Sequence, residues 1–149
     1  MPATLSHSRR RVRLAAVGLV AVVTMLLAAC SPEQMAALDR INASRAAHGV
    51  PTVVANPTAM NKAQAWAEHM AATGTLSHSV LADGVSPGWM RIAENVGRGH
   101  SVEAVHASFE GSPPHLANIL FPGWNSAATG IATAADGTVY VVQVFLQYP

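Results

Sequence analysis

Most of the chemistry that this chain could perform would depend on its histidines. Seven occur in 149 residues, and an imidazole nitrogen can bind a transition metal or exchange a proton near neutral pH. No HExxH motif is present, so their spacing alone selects no metal site. Six histidines follow residue 30, and they are His48, His69, His78, His100, His106 and His115.

Thiolate and nucleophilic chemistry have less support. Cys30 is the only cysteine, which excludes an internal disulfide framework and a thiolate zinc cluster. Ser79 follows His78 directly, and serine, histidine and an acid can form a hydrolase site. However, no G-x-S-x-G motif surrounds Ser79, and side chains adjacent in the sequence rarely face each other. A nucleophilic serine is therefore the less favoured interpretation.

Hydrophobic spacing and capping residues predict the elements that carry these side chains. Asn56-Pro57 is a helix start and Gly74 a helix stop, while Asp136-Gly137 predicts a hairpin turn. Both faces of the last strand are apolar, which is typical of a central strand covered on each side. Helices followed by antiparallel strands indicate an α+β fold. The predicted helices span residues 33–47, 56–73, 102–109 and 115–120, and the predicted strands span residues 92–96, 127–133 and 138–147.

Residues 1–29 are interpreted as an export signal. Basic residues come first, and an uncharged run over residues 14–29 is shorter than the roughly 20 residues that span a bilayer. The run ends in Leu27-Ala28-Ala29-Cys30, which resembles the lipobox of bacterial lipoproteins. That resemblance implies cleavage before Cys30 and a diacylglycerol thioether on its sulfur. An ordinary secretory signal, or an uncleaved anchor with a chance cysteine, is the alternative.

Charge separates this leader from the rest of the chain. Residues 30–149 contain five basic and eight acidic residues, a net charge of about −3, although the whole chain carries +1. Without a basic patch, a nucleic-acid partner is not expected. With 50% hydrophobic and 11% charged residues, the composition is that of a folded domain. We expect a signal peptide over residues 1–29, a short tether over 30–33 and one monomeric domain over 34–149.

Five short segments, spread over residues 34–147, form a recognisable series. Their order is similar to that in the CAP superfamily, the cysteine-rich secretory, antigen five and pathogenesis-related proteins, also called SCP domains. The resemblance implies a three-layer α-β-α sandwich around a central, mostly antiparallel sheet. The segments are Ile41-Asn42-Ala43-Ser44-Arg45 with Gly49, Ala63-Gln64-Ala65-Trp66-Ala67 leading to Leu76-Ser77-His78-Ser79, Ala93-Glu94-Asn95-Val96, the run from Ser112 to Leu120, and Gly130-Ile131-Ala132 with Val142-Gln143-Val144-Phe145.

The resemblance also implies a cleft whose ligands for Zn²⁺ or another divalent cation are His78, Glu94 and His115. Ser79, Asn95, Ser112 and Asn118 would lie beside this cleft. Without the resemblance, Glu94 would be interpreted as a cap on nearby amides and His115 as a hydrogen-bonded core residue. The remaining histidines, His48, His69, His100 and His106, are interpreted as solvated or capping residues.

The chain departs from the family pattern at Ser112, where many members carry a second acid. Glu110 lies close in sequence, but its different position on the helix turns it away. Paired carboxylates are the usual device for acid–base catalysis, so this departure weakens an enzymatic interpretation more than it weakens cation binding. Pro114 also replaces a glycine of the pattern, and it restricts the turn before His115.

Together these features predict a lipid-anchored protein on the extracytoplasmic face of a bacterial cell membrane. We expect a binding module for a divalent cation and for a lipid or cell-wall ligand, without catalysis. One alternative is a metal-assisted hydrolase of envelope material with Glu94 as base or ligand, and another is a structural surface antigen with a vestigial cleft. Trp89 and Trp124 lie in glycine-flanked loops, where their rings would either bind a ligand or anchor the loop.

Overall fold

Four helices and four strands occupy residues 30–149, which are the residues that the computed structural model describes. The predicted elements are all present, with shifted ends, and a two-residue strand was not predicted. The helices are α1 (Pro32–Ala47), α2 (Pro57–Thr73), α3 (Val102–Glu110) and α4 (Pro113–Leu120). The strands are β1 (Val54–Ala55), β2 (Arg91–Gly99), β3 (Ser126–Thr133) and β4 (Val139–Gln147).

The strands form one mixed sheet in the order β1-β3-β4-β2. β4 pairs antiparallel with both β3 and β2, whereas β1 pairs parallel with β3. Every residue from 140 to 146 is buried, which confirms the prediction of a central strand covered on both faces. β2 is an edge strand of the sheet, so the groups it carries border on loops as well as on helices.

Helices cover both faces of this sheet. A Cβ atom at Gly130 would meet the backbone of Ala63 in α2, and one at Gly97 would meet the side chain of Phe109 in α3. Gly130 pairs with Val142, whereas Gly97 pairs with Val141. Because these two rows of the sheet are adjacent, residues in them point to opposite faces, so α2 and α3 lie on opposite faces. This arrangement agrees with the expected α-β-α layers.

The helix ends follow the capping chemistry that the sequence contains. Asn56 Oδ1 accepts a hydrogen bond of 3.0 Å from the amide of Ala59 at the start of α2, and Gly74 ends this helix at φ +68°. Gly137 in the predicted hairpin turn has φ +86°, a value that favours glycine. α4 begins at Pro113, and Pro114 lies in its first turn, where a missing amide hydrogen costs no helical bond.

Hydrogen bonds and packing fix the first residues of the domain. Ser31 and Gln34 form a reciprocal capping box, so α1 begins inside the segment expected to be a tether. Cys30 is a free thiol that packs, partly buried, against the hydrophobic core. The predicted signal peptide over residues 1–29 lies outside the described residues. None of the described helices has the length and apolar character needed to cross a bilayer.

Candidate functional site

The candidate site is built around the carboxylate of Glu94 on edge strand β2. Its side chain is only 1% exposed, and it is held by the loop that follows α2. Oε1 accepts a hydrogen bond of 2.9 Å from the amide of Ser79, and Oε2 accepts one of 2.6 Å from Ser79 Oγ. Burial of a carboxylate is costly unless such donors surround it, so these contacts fix both the loop and the acid.

His78 completes the set of contacts to this carboxylate. Its Nδ1 lies 2.9 Å from Glu94 Oε1, while 61% of its side chain is exposed. The acid therefore orients the imidazole ring and occupies one of its two nitrogens. Nε2 is the nitrogen that remains for a ligand.

His115 approaches from the first turn of α4. Its ring packs edge-on against Phe109, with centroids 5.0 Å apart. Burial lowers the pKa of His115, and an electrostatic effect of His78 lowers it further. His115 makes no hydrogen bond to Glu94 within residues 30–149, so the convergence of His78, Glu94 and His115 stays a prediction.

The donor set has a direct bearing on metal binding. Within residues 30–149, no three side chains of histidine, cysteine, aspartate or glutamate are arranged to hold a metal ion together. Both oxygens of Glu94 already accept hydrogen bonds, so two imidazoles remain as donors. A cation bound here would complete its coordination with water.

His78 and Ser79 also line a pocket of about 520 Å³ beside α2. Trp66 stacks on His69 across 4.8 Å at this pocket, and its indole donates a hydrogen bond of 2.8 Å to the carbonyl of Ser77. Trp66 therefore holds the loop that carries His78, and His69 shields one face of its ring.

Asn95 and Asn118 have structural contacts behind the site. Asn95 Nδ2 donates to the carbonyl of His115 (3.1 Å) and to Gln143 Oε1 (3.0 Å). Asn118 Nδ2 donates to Asn95 Oδ1 across 2.9 Å. These bonds join β2, β4 and α4 and set the position of the turn that presents His115.

Sequence reasoning missed a polar cluster that joins Gln143 on β4 to α3 and α1. Gln143 Nε2 lies 3.2 Å from His106 Nδ1, and His106 Nε2 lies 2.9 Å from Ser44 Oγ. Ser44 Oγ in turn lies 2.6 Å from Glu110 Oε1. His106 is 8% exposed, so the expectation of a solvated or capping role was wrong. His48 does cap α1, through Nδ1 to the carbonyl of Ser44.

Neither Ser112 nor Glu110 supplies the second acid of the family pattern. Ser112 is the N-cap residue of α4 and makes no side-chain capping bond. The carboxylate of Glu110 bonds to Ser44 on α1, as expected from its offset, so it does not supply the second acid of the family pattern. The fourth position of that pattern is therefore unfilled among the described residues.

Comparisons with known proteins agree with this architecture. The model of the CAP, or cysteine-rich secretory protein, family matches residues 38–145. No match is found among curated proteins. Among solved structures, an outer surface protein from Borrelia burgdorferi has a TM-score of 0.66 and 14% identity, over 77% of this chain and 92% of that protein.

Two larger bacterial proteins share the same fold. An extracellular protein with an SCP domain from Bacillus anthracis has a TM-score of 0.64 and 18% identity, over 76% of this chain. A cysteine-rich secretory protein from Staphylococcus aureus has a TM-score of 0.60 and 17% identity, over 77% of this chain. The chain spans only 40% and 38% of these two proteins. At such identities the likeness shows the fold alone.

Proposed function

Because the chain belongs to the CAP, or cysteine-rich secretory protein, family, we propose that it is an extracytoplasmic binding module. In this proposal a lipid on Cys30 holds the domain at a bacterial membrane, and its cleft binds a divalent cation between His78 and His115. The observation that carries the proposal is the contact of 2.9 Å between His78 Nδ1 and the buried carboxylate of Glu94.

This contact has the form of an outer-shell interaction in metal sites. A histidine that ligates a metal usually donates its other ring N–H to a carboxylate, which sets the ring orientation and raises its basicity. Glu94 is placed to do this for His78, and the lowered pKa of His115 keeps that ring neutral, the form that binds metals. Zn²⁺ accepts imidazole nitrogens and water together.

The same geometry offers little to a serine hydrolase. Ser79 Oγ donates to Glu94, and His78 bonds to the other oxygen of that carboxylate. A nucleophilic serine needs an imidazole base within hydrogen-bond reach, and this serine is held by an acid instead. We therefore favour binding over catalysis by a nucleophilic serine.

The nature of two structural neighbours supports the location. One is an outer surface protein and another is an extracellular protein. Together with the lipobox-like sequence ending at Cys30, they favour exposure outside the cytoplasm. Lipid or cell-wall material is then the ligand class that the domain would meet.

A zinc titration tests the cation cleft. We expect saturable Zn²⁺ binding to the wild-type protein, measured by calorimetry, and at least tenfold weaker binding for His78→Ala and His115→Ala. Glu94→Gln should weaken binding about 10- to 100-fold, the usual effect of removing an outer-shell partner. His100→Ala, at an exposed histidine elsewhere, is the matched control and should leave the affinity unchanged. Equal affinity for all of these proteins would remove the metal from the proposal.

A further inference from the structure

A second pocket lies between the start of β2 and the end of α4, and the proposed cation cleft does not use it. Its volume is about 460 Å³, and its lining includes Trp89, Arg91, Asn118, Phe121 and Trp124. This volume falls within the range of roughly 300 to 1,000 Å³ that is typical of small-molecule sites. Three aromatic rings and a guanidinium therefore face one open cavity.

Arg91 is the charged group of this pocket. It is exposed, it forms no ion pair within residues 30–149, and its guanidinium lies 5.4 Å from the centre of the Phe121 ring. Stacking on an aromatic face leaves the N–H groups at the edge of a guanidinium available for hydrogen bonds. Arg91 is thus held in place by a ring while its donors remain unused.

Two further polar groups of the pocket are also available. The indole N–H of Trp89 has no hydrogen-bond partner within residues 30–149, whereas that of Trp124, in the same pocket, donates to a backbone carbonyl. Asn118 Nδ2 donates to Asn95 Oδ1, and the backbone carbonyl of Asn118 accepts from the indole of Trp124. The side-chain oxygen Oδ1 of Asn118 accepts no hydrogen bond within residues 30–149. The pocket therefore presents a cation, a neutral donor and an acceptor.

Packing and strand pairing hold two of the lining residues in place. Trp124 is 7% exposed, packs edge-on against Phe121 at 4.8 Å and stacks near Phe145 at 6.0 Å. Arg91 lies in β2 opposite Gln147 of β4. Groups held by packing lose little freedom when a ligand binds, and this pre-organisation favours affinity.

We propose that this pocket binds a sugar ring that carries a carboxylate. The carboxylate would accept paired hydrogen bonds from Arg91, the geometry that a guanidinium fits best. The apolar face of the ring would lie against the aromatic side chains, and ring substituents would meet the donor of Trp89 and the acceptor of Asn118. An acyl chain needs a more enclosed, wholly apolar tunnel, so a fatty acid fits this set of groups less well.

Three probes test the ligand class on the purified protein. N-acetylmuramic acid carries a carboxylate on an amino sugar, N-acetylglucosamine is its neutral counterpart, and decanoate is an acyl carboxylate. By ligand-observed NMR and calorimetry, we expect saturable binding of N-acetylmuramic acid and at least tenfold weaker binding of the other two. Quenching of tryptophan fluorescence by the same sugar acid should report contact with the aromatic lining.

Variants then assign the binding to this pocket. Arg91→Gln should weaken binding of N-acetylmuramic acid at least tenfold, and Arg91→Lys should recover only part of the loss because it lacks the planar fork. Arg98→Gln, at an exposed arginine of the same strand outside this pocket, is the matched control and should bind like the wild type. Thermal unfolding checks that each variant is folded.

Four results of these experiments would contradict the proposal. Equal affinity for the acid and its neutral counterpart, unchanged affinity in Arg91→Gln, preferential binding of decanoate or no saturable binding of the acid would each overturn the proposal. Binding should persist in His78→Ala and in the presence of a chelator, because neither His78 nor a metal ion contributes to this pocket. The sugar site and the cation cleft therefore stand or fall separately.

Discussion

The proton position on His106 follows from a series of contacts that begins at a backbone carbonyl. The carbonyl of His115 can only accept, so the atom of Asn95 that faces it must be Nδ2. The same Nδ2 donates to Gln143 Oε1, which leaves Gln143 Nε2 to donate to His106 Nδ1. His106 is therefore neutral, with its proton on Nε2, where it faces Ser44.

This arrangement predicts a dependence of stability on pH. Burial lowers the pKa of His106, and the nearby carboxylate of Glu110 opposes this effect only in part. Protonation would also place an N–H on Nδ1 against the amide donor of Gln143. The unfolded chain takes up its proton at about pH 6.5, before the folded one does. The contribution of neutral His106 to the free energy of unfolding should therefore be fully present above about pH 6.5. It should be lost as the pH falls from there through the lower folded pKa.

Chemical unfolding between pH 7.5 and pH 5 measures the effect. The free energy of unfolding should decrease with falling pH for the wild type and decrease less for His106→Gln, which keeps polar atoms but cannot titrate. His100→Gln, at an exposed site, should retain the wild-type slope. The same slope for His106→Gln and the wild type would contradict the predicted role.

The residue contacts were only partly predictable from the sequence. His106 and Glu110 lie four residues apart on α3, a spacing that places them on one side of a helix. Nothing local links them to Ser44, because that contact depends on how α1 packs against α3. Glu94 supports both interpretations given to it, since it caps the amide of Ser79 and also orients His78. That His115 approaches His78 is expected only from the family resemblance, and it stays a prediction.

At the scale of elements, Gly130 marks a close backbone approach between α2 and β3. A Cβ atom at Gly130 would lie 2.0 Å from the carbonyl oxygen of Ala63, so no side chain fits without moving the helix. Backbone shifts of this kind cost roughly 1 to 3 kcal/mol and occasionally more. We therefore expect Gly130→Ala to destabilise the domain by about 3 kcal/mol.

Urea unfolding of Gly130→Ala measures this cost. Gly111→Ala is the matched control, because its added Cβ would have ordinary contacts of 3.5 Å or more and its φ of −76° suits any residue. The control should change stability by no more than about 0.5 kcal/mol. Similar stabilities for the two variants would show that α2 can shift on β3 at little cost.

Element prediction succeeded where the chain carries its own stop and start signals. Asn56 and Gly74 bound α2 as expected. β1 was not predicted because its two residues are extended only by pairing with Ser126 and Ala127. β2 continues past its predicted end through Gly97, a residue that disfavours strands but is needed there because Phe109 and Val105 fill the space that a side chain would take.

At the scale of the whole molecule, the anchor on Cys30 has a direct test. If the lipobox-like sequence functions as expected, the wild-type protein should fractionate with membranes and incorporate labelled palmitate. Cys30→Ala should abolish both the label and the membrane association, and globomycin should block processing of the wild type. Palmitate labelling that persists in the alanine variant would contradict the proposed anchor.

The capping box at the start of α1 limits the movement of a domain anchored in this way. Only Ser31 separates Cys30 from the helix, and Gln34 donates hydrogen bonds to the carbonyls of Met60 and Thr129. One residue spans about 4 Å, so the linker would let the domain move only a few ångströms away from the membrane surface. Its encounters would then come from lateral diffusion in the membrane plane, and its ligands would be those within a domain's height of the lipid headgroups.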